Sequence, residues 1–162
     1  MGNIPIYNQM FLEQARIIRK LANYGSAVFL GRCADYILKD AKNCTSVYLY
    51  ADRDFRENRV KEVYGSNSET MDREEKNRAD YYNYYTGHQW GDINNYDFAI
   101  NTSKVSFEEA TDLIYQFAKE KQKNSRNFRE KSWFAPLRFR SLLGKLENQS
   151  GGQYHFLKNG EP

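Results

Sequence analysis

Apolar side chains recur at Phe11, Ala15, Ile18 and Ala22, with Met10, Ile17 and Leu21 widening the stripe. Spacings of three and four put them on one face of a helix over residues 8–23, and Gly25 stands where helices commonly stop. Ala27-Val28-Phe29-Leu30 follows as an unbroken apolar run closed by Gly31 and Arg32. A strand with no polar face is covered on both sides, as in parallel α/β sheets, so Gly31 and Arg32 are expected at the carboxyl edge, where such sheets bind ligands.

The alternation continues. Residues 33–39 suit a short helix, Asn43 a turn, and 46–50 a second strand. A helix over 52–63 opens on the acidic cap Asp52 and repeats Arg53, Arg56 and Arg59 along one side. Gly65 breaks the pattern, and Ser68 starts a charged helix to about Tyr85 that ends in Tyr81, Tyr82, Tyr84 and Tyr85. The interleaved Arg78, Asp80, Asn83 and His88 exclude full burial; Tyr82 and Tyr85 are expected against the sheet, Tyr81 and Tyr84 half exposed. Residues 87–95 read as loop, pinned by Trp90, and 97–101 as a third strand. Ser106 and Glu109 form a capping box ahead of Ala110, Leu113, Ile114, Phe117 and Ala118. Three strand-helix alternations predict an α/β fold: a parallel sheet with right-handed crossovers and flanking helices.

After Lys119 the pattern degrades, and charge marks the same boundary. Residues 1–118 hold 14 Lys+Arg against 17 Asp+Glu, whereas 119–162 hold 10 against 4. The expected division is a domain over 1–119 and a basic, loosely ordered tail over 120–162, with one amphipathic helix at Leu137–Leu146. No apolar run of about 18 residues is present to span a bilayer, and MGNIPIYNQM is not a signal peptide, so a soluble, cytoplasmic chain is expected. Cys33 and Cys44, with only His88 and His155 to assist them, fit no zinc motif and read as reduced, partly buried thiols.

No GxxxxGK[ST] loop, zinc-protease signature, triad or dinucleotide fingerprint occurs. The chemistry rests on arginines. Arg32, Arg56, Arg59, Arg73 and Arg78 would converge above the carboxyl edge, and planar guanidiniums suit phosphoryl oxygens. The other reading pairs the arginines with Asp35, Asp52, Asp54, Glu57 and Asp72 on a solvated surface.

GRCADYILKD at 31–40, RADYYNYYTGHQWGD at 78–92 and NYDFAINTSK at 95–104 resemble the cytidylate kinase-like family of P-loop nucleoside monophosphate kinases, in consistent order from about Tyr7 to Lys119. The resemblance implies ATP-dependent phosphoryl transfer to a CMP- or dCMP-type acceptor, with Mg²⁺ bridging the phosphates. It implies a mobile lid over about 66–95 that holds Glu75 and Arg78. Arg32 would hold the acceptor phosphate, and Arg56, Arg59 and Arg78 would surround the transferring group as catalytic residues. Asp35, Glu75 and Tyr82 would join Arg32 in binding substrate; no metal ligand is assigned. Where related kinases carry Arg-xxx-Asp-xx-Arg in the lid, this chain has Met71, Glu75 and Arg78.

The family begins with a strand, a glycine-rich loop and a helix that hold the donor phosphates, and this sequence corresponds only to the family's later elements. The resemblance therefore implies a partial kinase fold lacking the first strand and P-loop, inactive alone, and open to self-association or to a complementing N-terminal segment. A non-catalytic module that binds an anionic partner such as RNA, through the basic tail and tyrosine-rich lid, is the alternative.

Overall fold

Helix α1 (Ile6–Tyr24) buries Ala15, Ile18 and Ala22, the stripe that its sequence period marks. It starts two residues before the expected span and stops at Gly25, whose φ of 166° is extended rather than left-handed. The computed structural model describes residues 4–41, 43–124 and 152–157, the last as backbone only. Strand β1 (Ala27–Leu30) and the short helix α2 (Ala34–Ile37) follow, then strand β2 (Cys44–Tyr50) and helix α3 (Arg53–Tyr64). Helix α4 (Ser68–Thr86) carries the tyrosines. A 3-10 turn at Ile93–Asn95 interrupts the expected loop before strand β3 (Phe98–Asn101) and helix α5 (Phe107–Asn124).

The caps explain the boundaries. Asn67 accepts a hydrogen bond from the Thr70 amide at 2.9 Å and so caps α4, one residue ahead of Ser68. The capping box of α5 is closed in both directions: the Ser106 amide donates to Glu109 Oε2 at 2.8 Å, and the Glu109 amide to Ser106 Oγ at 3.2 Å. α5 runs past the composition boundary near Lys119 to Asn124.

The fold is α/β. β2 and β3 pair in parallel, Val47 beside Phe98 through Tyr50 beside Asn101. Sequence pattern assigns no element to 152–157, yet this segment forms strand β4 (Gly152–Leu157) in a sheet of order β1-β4-β2-β3. β4 is antiparallel to both neighbours, so β1 and β2 share a direction without touching. The expected helix at Leu137–Leu146 lies outside the described residues.

Two hydrophobic clusters line the two faces. One gathers Ala15, Ile18, Ala22, Cys33, Ala34, Ile37, Leu38, Cys44 and Tyr82 beneath α1, α2 and α4, with Phe29 packed against it. The other joins Val47, Leu49 and Ile100 to Ala110 and Ile114 of α5, with Val28 alongside. Adjacent residues of β1 thus serve opposite faces, as the pleat requires. The beginnings of β2 and β3 are tied to α5 by Asp97, which accepts from the Ser46 amide at 2.8 Å and pairs with Lys121 at 2.5 Å. No helix among the described residues is long and apolar enough to cross a membrane.

Candidate functional site

Register fixes the height of each strand at the carboxyl edge. Leu30 ends β1 opposite Tyr154, which also faces Val47, whereas β2 continues to Tyr50. The chain after Leu30 turns through three consecutive left-handed residues: Gly31 at φ 60°, Arg32 at 58° and Cys33 at 56°. Only glycine adopts this region freely, and each non-glycine residue there costs on the order of 1–2 kcal/mol. The surroundings hold the turn in place. Gln14 Nε2 donates to the Arg32 carbonyl at 3.0 Å, the Ala34 amide returns to the Gly31 carbonyl at 3.1 Å, and Cys33 is buried. The Arg32 side chain stays exposed and lines a groove of about 520 Å³ together with Phe11, Ile17, Leu30, Tyr81 and Tyr85. Backbone strain at a sheet's carboxyl edge is characteristic of ligand sites.

α4 crosses above this edge. Met71, Tyr82 and Thr86 form its buried side. Tyr85 stacks on Phe11 with centroids 4.2 Å apart, Tyr81 hydrogen-bonds Gln14 at 3.4 Å, and Tyr84 stands 71% exposed. The Tyr82 hydroxyl donates to Asp35 Oδ2, and Tyr96 hydrogen-bonds Tyr82 in turn. Burial pushes the Asp35 pKa upward, opposed by the Tyr82 hydroxyl and by nearby His88. Burial and then Asp35 push Tyr82 and Tyr96 up as well, which fixes both as hydroxyl donors. Tyr48 stacks on Tyr96 at 5.0 Å and meets Trp90 edge-on at 6.2 Å. The loop comes so close that a Cβ on Gly91, at φ 80°, would lie 3.2 Å from the Tyr48 hydroxyl.

α3 and α4 are clasped by ion pairs. Arg56 meets Glu75 at 2.7 Å with side chains 19% and 32% exposed; Arg53 meets both Glu57 at 2.7 Å and Asp72 at 2.9 Å in a more open setting. Arg59, one turn along, lies instead over the Phe107 ring at 5.1 Å, where α5 begins. Arg78 is half-buried on α4. The expected site residues therefore meet in two pairs, Asp35 with Tyr82 and Arg56 with Glu75, while Arg32 stands at the end of β1 and Arg59 packs on α5.

A family model described as the cytidylate kinase-like family matches residues 1–104, from α1 through the turn after β3. The chain belongs to the cytidylate kinase-like family. An uncharacterized protein from Eubacterium ventriosum ATCC 27560, known from its crystal structure, is similar to it at 32% identity with a TM-score of 0.62, over 72% of this chain and 68% of that one. No curated protein matches.

Within this cytidylate kinase-like chain the matched segment ends on a cluster that residue types alone do not single out. Asp52 does not cap α3 with its side chain. Its carboxylate takes Asn101 Nδ2 at 2.9 Å and Lys104 Nζ at 2.7 Å, while its amide donates to Ser103 Oγ at 2.6 Å. Lys104 and Asn101 hold the Asp52 pKa below the usual carboxylate range. A signal for it exists in the sequence: Asp52 and Asn101 each follow or end a strand at the same edge. Kinases of this kind use ATP and Mg²⁺. Among the described residues no three His, Cys, Asp or Glu side chains gather as metal ligands, and the given sequence holds no GxxxxGK[ST] loop.

Proposed function

We propose that this cytidylate kinase-like chain binds a pyrimidine nucleoside monophosphate, of CMP or dCMP type, at the carboxyl edge of its sheet beneath α4. Arg32 takes the phosphate, Asp35 and Tyr82 position the nucleoside side of the site, and Arg56, Glu75, Arg59 and Arg78 set the charge around it. The observations that support this reading are the part-buried Arg56–Glu75 pair, which joins α4 to α3, and the strained turn that presents Arg32 at the end of β1. A guanidinium held by one carboxylate keeps further donors for phosphate oxygens. With the paired acid on α4, a bound phosphate and Glu75 compete for Arg56, a means of coupling ligand to helix position.

The chain by itself carries out no phosphoryl transfer, because transfer depends on backbone N–H groups and a lysine that cradle the donor phosphates. ATP and Mg²⁺ are therefore assigned no step here. Isothermal titration with CMP, dCMP and ATP, followed by a coupled ADP assay, tests both halves. Binding of CMP in the micromolar to low-millimolar range, weakened at least tenfold by Arg32→Ala, is expected, with no ADP formed. Absence of CMP binding refutes the site; turnover refutes the claim that the chain is inactive alone.

A further inference from the structure

One uncommitted charge stands in the groove that Arg32 lines. Three rings form part of the lining: Tyr85 stacks on Phe11 at 4.2 Å, and Tyr81 packs on both, 4.7 Å from Tyr85 and edge-on to Phe11 at 6.4 Å. Met10 and Ile17 of α1 and Leu30 of β1 add aliphatic surface, with Met10 and Ile17 62% and 48% exposed. The polar side chains among them are already engaged. Gln14 donates to the Arg32 carbonyl and accepts from the Tyr81 hydroxyl, while Glu13 pairs with Arg16 at 2.8 Å. The Arg32 guanidinium, by contrast, has neither an ion pair nor a hydrogen bond among the described residues.

We infer that this groove is a binding site for an amphipathic anion, a free small molecule with a hydrocarbon body and a single phosphate head. Arg32 takes the head, because a planar guanidinium without a partner chelates phosphate oxygens in pairs. The body lies along the rings and the α1 side chains, where it removes exposed apolar surface from water. A volume of about 520 Å³ is ample for such a ligand and falls among ordinary small-molecule sites. A base and ribose do not suit this lining: their donors and acceptors would leave water and meet side chains already bonded elsewhere. Asp35 and Tyr82, which hold the nucleoside in the function proposed above, do not line the groove. The two sites share only Arg32, so their ligands exclude one another, and the groove does not depend on the nucleotide reading.

Isothermal titration of the full chain with butyl, hexyl and octyl phosphate tests this. Octyl phosphate should bind once per chain and at least tenfold more tightly than butyl phosphate, since each methylene removed from water gains up to about fourfold. Arg32→Gly removes the cation and suits the left-handed backbone at that position, so the variant should fold and lose at least tenfold in affinity. Ile17→Glu, at a half-exposed position, should erase the difference between butyl and octyl phosphate. Affinity independent of chain length overturns the apolar body, and equal binding by Arg32→Gly overturns the anchor. More than one octyl phosphate per chain, or a melting point lowered by it, means detergent-like binding and overturns the site. Binding to phosphatidylglycerol vesicles with none to the monomeric phosphate assigns the patch to a membrane surface and likewise overturns it. The titrations contain no nucleotide, so failure of CMP to bind leaves this site standing, and failure of octyl phosphate leaves the nucleotide reading standing.

Discussion

Tyr82→Phe removes one hydroxyl from the interior and leaves the ring in place, so it opens no large cavity. Tyr82 is 3% exposed and Asp35 7%, and the change removes the donor to the Asp35 carboxylate together with the hydrogen-bond partner of Tyr96. A hydrogen bond to a charged group contributes about 1.5–3 kcal/mol. At about 2–4 °C per kcal/mol for a chain of this size, the melting point should fall by about 3–12 °C at pH 8. The pH dependence is the sharper test. A carboxyl whose folded-state pKa is raised takes up a proton on folding, so its contribution is fully present below the unfolded value of about 3.9 and is lost as pH rises through the folded one. Burial already raises Asp35, and the Tyr82 hydroxyl is the largest influence holding it down. Without that hydroxyl the folded pKa climbs further, so the deficit of the variant should be greater at pH 8 than at pH 5. Thermal melts followed by circular dichroism at both pH values measure it, with Asp35→Asn/Tyr82→Phe expected to lose less than the sum of the single changes. Equal losses at the two pH values, or a loss under about 1 °C at pH 8, would refute the reasoning.

Three further outcomes rest on local geometry. Gly91→Ala should cost about 1–2 kcal/mol in urea denaturation, and a Tyr48→Phe background should recover part of it by removing the hydroxyl that the new Cβ meets. Burial raises Cys33 to about 12 and Cys44 to about 11, so Ellman's reagent at pH 8 should label neither until denaturant is added; prompt labelling of either contradicts their packing. Burial raises the Asp97 pKa, but Lys121 and Ser46 outweigh it and leave the group depressed, so its contribution is present above the unfolded pKa and lost as pH falls through the folded one. Asp97→Asn should therefore cost about 1 kcal/mol at pH 7, with the deficit shrinking as pH falls below the unfolded value of about 3.9; a constant deficit would count against the ion pair.

Local patterns are legible because local forces set them. The α1 stripe, the unbroken run of β1 and the Ser106–Glu109 box each depend on residues within one or two turns, and each element stands within a few residues of its expected bounds. Asp52 reads as a side-chain cap in the sequence because its true partners, Asn101 and Lys104, arrive 49 and 52 residues later. The Asp35–Tyr82 contact lies within the motifs but spans 47 positions, and no spacing rule pairs them. Strand β4 is hidden for a different reason: GQYHFL lacks the apolar continuity that marks β1, so only its neighbours' ladders define it.

The position of β4 also orders events at the ribosome. Ala27 pairs with Leu157, 130 positions away, so among the described residues the first strand of the sheet meets its hydrogen-bonded neighbour only when the last one has been made. At about 5–20 residues per second, the stretch from Tyr50 to Leu157 takes on the order of 5–20 s to emerge. Throughout that interval AVFL and the β4-facing edge of VYLY stay bare on a nascent chain, and long-range closure of this kind is slow even after synthesis ends. The sheet's most sequence-distant contact thus sets how long its first strand waits for a partner during synthesis.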